Sequence, residues 1–193
     1  MAGAFKSARL TYRAIEDNDE DNAFIHSLRL ESGSRATNEP TLFKPVNKAS
    51  TVSAAAEIRD ESYMAVLICL QADDFELERP IGRIDLHPEP KKLLQHHRNA
   101  EVGIQIKEEY QRRGYGTEAI EWILEWAFKY GGLHRVAMSS FSFSPGARRL
   151  YERLGFVYEG SLREVMWFNG AWHDIVYQSM LEDEWRKRHE KTE

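Results

Sequence analysis

Apolar residues along this chain gather into short runs set apart by polar, glycine- and proline-bearing stretches, and the spacing within each run predicts its element. Leu10–Ile15, Tyr63–Leu70, Ile81–Leu86, Val102–Ile106 and His134–Phe141 have the length and composition of strands. Two further strand-like runs, FVYEGSLREVMWF and WHDIVYQSML, flank Asn169-Gly170, a pair that predicts a tight hairpin.

Helical spacing fills the intervals. Asn18 or Asp19 caps a helix through Ala23, Phe24, Ile25, Leu28 and Leu30, and the acidic EDNDEDN at its entry complements the helix dipole. That acidic stretch lacks the glycine-bearing pattern of a calcium loop. Asn47–Arg59 reads as a short polar helix. After QRRGYGT, polar residues recur at Glu118, Glu121, Glu125 and Lys129 while the rest is nearly all apolar. A narrow solvated stripe and a broad buried face suit a helix lying on a sheet. Gly131 and Gly132 stop it. Ser144 and Pro145 offer a cap and first position to a short helix over Ala147–Leu154, closed by Gly155, with Ala147, Leu150 and Leu154 as its buried stripe. Ser32–Pro45 reads as a loop that could wall a cleft, QADDFELERP as a polar loop, and residues 87–98 as an insertion. EDEWRKRHEKTE is a charged, partly loose terminus. The order of elements predicts one mixed α/β sheet with helices on its faces.

Composition narrows the classes of function. With 193 residues, 42% of them hydrophobic and 30% charged, the chain can bury a full core as one domain. A net charge of -5 gives no basic footprint for nucleic acid. No apolar run approaches the roughly 20 residues of a membrane span, and MAGAFKSARL lacks a secretory signal, so cytoplasm is the default expectation. The single cysteine, Cys69, sits in the apolar run YMAVLICL and reads as core. His87, His96 and His97 have no cysteine or acid completing a ligand set, and adjacent histidines on a strand point to opposite sides, so no metal site is expected.

Chemistry concentrates at Glu101–Phe128, a strand followed by QRRGYGT and a helix. A glycine turn entering a helix presents unpaired backbone N–H groups that can hold an anion. A tight connection with no ligand fits as well. Neither the GxxxxGK[ST] loop nor the third glycine of the dinucleotide fingerprint is present, which disfavours nucleotide hydrolases and nicotinamide enzymes.

Three pieces together carry a resemblance: Gln111-x-x-Gly114-x-Gly116 at the strand-to-helix step, ARRLYERLGFVYEG, and Trp172-His173-Asp174 in the last hairpin. The set resembles the GNAT acyltransferase superfamily, and more closely its ribosomal-protein N-terminal acetyltransferase-like branch. The resemblance implies a single-domain acyl-CoA N-acyltransferase fold over residues 9–185, with 1–8 and 186–193 as flexible termini. It implies acetyl-CoA as cofactor, its pyrophosphate on Gln111, Arg112, Arg113, Gly114, Tyr115, Gly116 and Thr117. Glycines there let N–H groups reach phosphate oxygens with no Cβ in the way. The pantetheine arm would lie along the strand at Val102, Ile104 and Ile106, with further cofactor contacts from Ser144 and Ala147. The family commonly has an asparagine where this chain has Ser144, and serine lacks the amide's reach.

The same resemblance places Tyr151 against the cofactor, near the thioester sulfur, where it can protonate the leaving thiolate, though its place beside the buried stripe also suits simple core. Glu101 becomes the base, directly or through water. Glu31, Arg35 and Asn38 fall on the acceptor side; Trp172, His173 and Asp174 either face the acceptor cleft or form a packed, hydrogen-bonded cluster. The expected activity is direct acetyl transfer to a primary amine, a protein N-terminus or a small molecule, with no acyl-enzyme. A non-catalytic acyl-CoA sensor or scaffold is the competing expectation. No nucleic acid or membrane partner is implied, and the chain is expected to be a monomer or homodimer.

Overall fold

The computed structural model describes residues 3–38, 41–72, 78–89 and 95–190. The strands are β1 (Leu10–Ala14), β2 (Met64–Leu70), β3 (Arg79–Pro88), β4 (Asn99–Ile106), β5 (Arg135–Phe141), β6 (Val157–Phe168) and β7 (Ala171–Leu181). The helices are α1 (Asp19–Leu30), α2 (Ser32–Asn38), α3 (Lys48–Glu61), α4 (Tyr115–Lys129), α5 (Pro145–Leu154) and α6 (Glu182–His189). Hydrogen-bonded order in the mixed sheet is β1-β2-β3-β4-β5-β7-β6. The chain packs as two compact units, Met1–His87 with Gly103–Ile123 and Pro88–Val102 with Leu124–Glu193, so β4 and α4 each contribute to both.

In the first unit, β2 pairs antiparallel with β1 and with β3. Asn18 caps α1, its side chain accepting the Asp21 N–H at 2.8 Å. Asp21 is itself buried and takes both arms of Arg13, at 2.8 and 2.7 Å. Ile15, Ile25, Ala55, Leu67 and Cys69 form a core cluster. Burial pushes the Cys69 thiol up to about 12, so at neutral pH it stays protonated and unreactive, as a core residue should.

In the second unit, β4 pairs parallel with β5 at Asn99↔Arg135, Ala100↔Val136 and Glu101↔Ala137. The antiparallel β6–β7 hairpin turns at Asn169 and Gly170, whose φ values of 47° and 78° are the left-handed pair that Asn-Gly accommodates. β7 in turn pairs with β5 from Arg135↔Leu181 to Phe141↔Ile175.

Several expectations are corrected. Ser32–Asn38 is helix α2, where glycine and the following proline had suggested loop throughout; the glycine lies in the first turn, where its cost is small. α4 begins at Tyr115, so Tyr115, Gly116 and Thr117 form its first turn. The lead-in is tied down from Gly3 onward: Trp122 donates to the Ala4 carbonyl at 2.9 Å, and Tyr12 stacks on Trp122 with centroids 3.7 Å apart. α6 extends through His189 into the charged terminus, anchored by buried Trp185, whose ring lies 5.6 Å from that of Phe128. His96 and His97 sit in a short 3-10 turn with rings 4.0 Å apart, not on opposite sides of a strand. Residues 73–77 of the polar loop and 90–94 of the insertion lie outside the described residues. No helix among the described residues is long and apolar enough to cross a membrane.

Candidate functional site

The glycine loop belongs to the first unit. β4 ends at Ile106, Glu108–Tyr110 makes a 3-10 turn, and the chain enters α4 through Gly114, whose carbonyl accepts the Glu118 N–H at 3.1 Å. Gly114 thus occupies the cap position without a side chain to satisfy the first turn, and the N–H groups of that turn have no partner within the helix. Its φ of 86° is the left-handed conformation that glycine adopts without strain. Arg112 takes φ 59° and, like Arg113, is exposed; the Arg113 guanidinium lies 5.7 Å from the Tyr110 ring centre. Gln111 turns its amide inward and donates to the Ile106 carbonyl at 2.8 Å, closing the loop onto the end of β4.

A carboxylate in the first turn of α4 complements the helix dipole but would repel a bound anion. Here Glu118 accepts from Ser7 Oγ and the Arg9 N–H, both at 2.7 Å, and from Arg9 Nε at 2.8 Å. Burial alone would raise Glu118, but these hydrogen bonds and the Arg9 charge prevail and hold it below the usual carboxylate range. Arg9 also donates to the Arg113 carbonyl at 3.1 Å and lies 4.6 Å from the Tyr115 ring centre. It therefore neutralises the acid and braces the loop. Neither Ser7 nor Arg9 carries a local sequence signal for this role. A Cβ built on Gly116 would meet Ile106 Cδ1 at 3.6 Å, an ordinary contact, so the chain's own packing does not require glycine there.

The first-unit acceptor candidates are held by structure. Glu31 accepts the Glu108 N–H at 3.0 Å. Arg35 is buried, donates to the Lys44 carbonyl at 2.5 Å and lies 5.2 Å from the Phe43 ring centre. Asn38 is the last residue of α2.

Glu101 and Tyr151 belong to the second unit. Glu101 lies opposite Ala137, and Ser139 Oγ donates to Glu101 Oε1 at 2.5 Å. Tyr151 is 8% exposed on α5, more buried than Ala147 or Leu150 of the expected stripe. Burial first, and the charge of Glu101 second, push its phenol up to about 12. Tyr177 is raised by burial, then by Glu101 and Glu89. Ser139, Tyr177 and Glu89 were not legible as neighbours of the Glu101 region, because only the fold brings them together. Ser144 occupies the α5 cap position, but its side chain makes no cap hydrogen bond. Val102 and Ile106 are buried and Ile104 partly so.

His173 lies in a packed cluster: Nε2 is 3.2 Å from the Phe168 carbonyl, Nδ1 is 3.5 Å from Ser142 Oγ, and the ring meets Phe143 edge-on at 4.8 Å. Asp174 accepts the Glu164 N–H at 2.9 Å. Trp172 is 57% exposed beside Trp167.

Comparison with known proteins adds three findings. Residues 37–156 match the family described as acetyltransferase (GNAT). YdaF of Bacillus subtilis (strain 168), provisionally named a ribosomal N-acetyltransferase, is 38% identical over 104 residues, 54% of this chain and 55% of that protein; the chain thus spans about half the length of this curated relative. Among solved structures, mutant forms of the spermidine/spermine N-acetyltransferase SpeG from Vibrio cholerae superpose with a TM-score of 0.71 at 26% identity, covering 95% of this chain and 99% of theirs. A GNAT-family acetyltransferase from Bacillus anthracis, at 22% identity and TM-score 0.75 over 93% and 98% of the chains, shares the fold.

Proposed function

We propose, on the premise that this chain belongs to the acetyltransferase (GNAT) family, that it transfers the acetyl group of acetyl-CoA to a primary amine by direct attack. The observation that carries this reading is the pair Glu101 and Tyr151: a carboxylate held by Ser139, and a buried phenol that burial first, and the Glu101 charge second, push up to about 12.

The chemistry assigns each group one task. Glu101 accepts a proton from the acceptor ammonium, directly or through water, and so frees the nitrogen lone pair. The nitrogen attacks the thioester carbonyl carbon, forming the C–N bond. As the tetrahedral intermediate collapses, the C–S bond breaks and Tyr151 gives its proton to the departing thiolate. The products are an amide and free CoA. Tyr151 regains its proton as the second amine proton departs, and Glu101 releases the first to solvent.

Gln111–Thr117 would receive the cofactor's pyrophosphate. The side-chain-free cap at Gly114 and the neutralised Glu118 both favour an anion there. Arg112 and Arg113 are exposed and can reach phosphate oxygens. Gln111 would act by shaping the loop. The names of similar proteins, a ribosomal N-acetyltransferase and a spermidine/spermine N-acetyltransferase, support an amine acceptor, either a protein N-terminus or a small amine. We favour an amine that carries positive charge, given the net charge of -5.

A CoA thiol-release assay across N-terminal peptides, spermidine and amino sugars tests the reading. Thiol release with at least one amine is expected. Tight acetyl-CoA binding with no release from any acceptor would replace the enzyme by a cofactor-binding sensor.

A further inference from the structure

Ser139 holds Glu101 but has no step of its own in the chemistry above. On β4, Glu101 lies opposite Ala137 of β5. Ser139 follows two residues later, so its side chain leaves the sheet on the same face as that pair. Its hydroxyl reaches Glu101 Oε1 at 2.5 Å. Across the β5–β7 ladder it lies opposite Tyr177. A half-buried strand position is ordinarily better filled by a β-branched or apolar side chain than by serine.

We propose that Ser139 is a positioning residue for acetyl transfer, holding the Glu101 carboxylate in one orientation and adapting its own hydrogen bond as that carboxylate gains and loses the acceptor's proton. This rests on Glu101 as the base. A hydroxyl both donates and accepts. While Glu101 is charged, Ser139 donates to it. Once Glu101 holds a proton, the hydroxyl rotates and can accept from the carboxylic acid. The contact survives both states, so the carboxylate need not reorient between turnovers. Alanine offers neither bond; threonine offers both.

The test uses the full chain, acetyl-CoA and spermidine, or the amine that turns over fastest in the panel above. Ser139→Ala lowers kcat about tenfold or more, the scale of a hydrogen bond to a charged group, and leaves the KM for acetyl-CoA within about twofold. Ser139→Thr restores kcat to within about threefold of wild type, by keeping the hydroxyl. Glu101→Gln lowers kcat about 100-fold or more, and adding Ser139→Ala to it causes no further loss, because the serine acts through the carboxylate. Losses that multiply in the double variant overturn the positioning role, as does a Ser139→Thr protein that melts like wild type yet turns over like Ser139→Ala. Wild-type turnover in Glu101→Gln instead removes the base assignment beneath the inference. Thiol release from no amine at all removes acetyl transfer itself.

Discussion

At the scale of single residues, Tyr151 holds its proton more tightly than an ordinary tyrosine does. Its phenol is raised from an ordinary value of 10.0 to about 12, first by burial and then by the Glu101 charge. A group that is to protonate a thiolate must be protonated when the thioester opens, and this one is so throughout the neutral range. Tyr151→Phe is therefore expected to lower kcat by about tenfold or more while the acetyl-CoA KM moves less than about twofold; unchanged turnover removes the acid role. The same shift has a consequence for stability. The folded state binds this proton more tightly than the unfolded chain, so the contribution is fully present below pH 10.0 and is lost as pH rises toward about 12. Melting temperature over that window should fall more steeply for wild type than for Tyr151→Phe, and parallel curves would contradict the assignment. Tyr151 was legible as a site residue only through the LYERLGF resemblance. Periodicity placed it next to a stripe, while the fold buries it more deeply than two members of that stripe.

At the scale of elements, β4 and the start of α4 show two different reasons for glycine. A Cβ on Gly103 would stand 2.7 and 2.9 Å from the carboxylate oxygens of buried Asp85. Asp85 cannot simply swing away, because Arg83 and His87 hold it. Gly103→Ala is expected to cost about 1–3 kcal/mol in urea denaturation, the usual range for overpacking a filled site. Gly116 is the opposite case, with an ordinary 3.6 Å contact awaiting a Cβ. Gly116→Ala should leave the urea midpoint nearly unchanged and weaken acetyl-CoA binding in calorimetry several-fold, since its methyl group would stand where the backbone is proposed to meet phosphate. Full-strength binding would move the phosphate loop elsewhere. The sequence motif marks Gly116 and passes over Gly103, whose constraint comes from Asp85 on the neighbouring strand and not from any local pattern. α2 and α6 were misread for a related reason: glycine and dense charge are poor helix signals locally, and burial of Arg35 and Trp185 is what secures those helices.

At the scale of the whole molecule, the acidic balance of -5 bears on how a cationic acceptor arrives. With spermidine and saturating acetyl-CoA, kcat/KM should fall several-fold between about 0.01 M and about 1 M salt, as the screening length shrinks from about 30 to about 3 Å. A salt-independent rate would show that net charge plays no part in capture. The seven strands, the Asn-Gly hairpin and the glycine turn into α4 were determined by the sequence itself. These features depend on hydrophobic period and on φ preference, both properties of neighbouring residues. Tertiary structure alone decided which side chains meet. Ser7 reaches Glu118 across 111 positions, and Ser139 reaches Glu101 across 38. Such contacts follow from strand register and the packing of separate elements, and no local pattern encodes a distance between them.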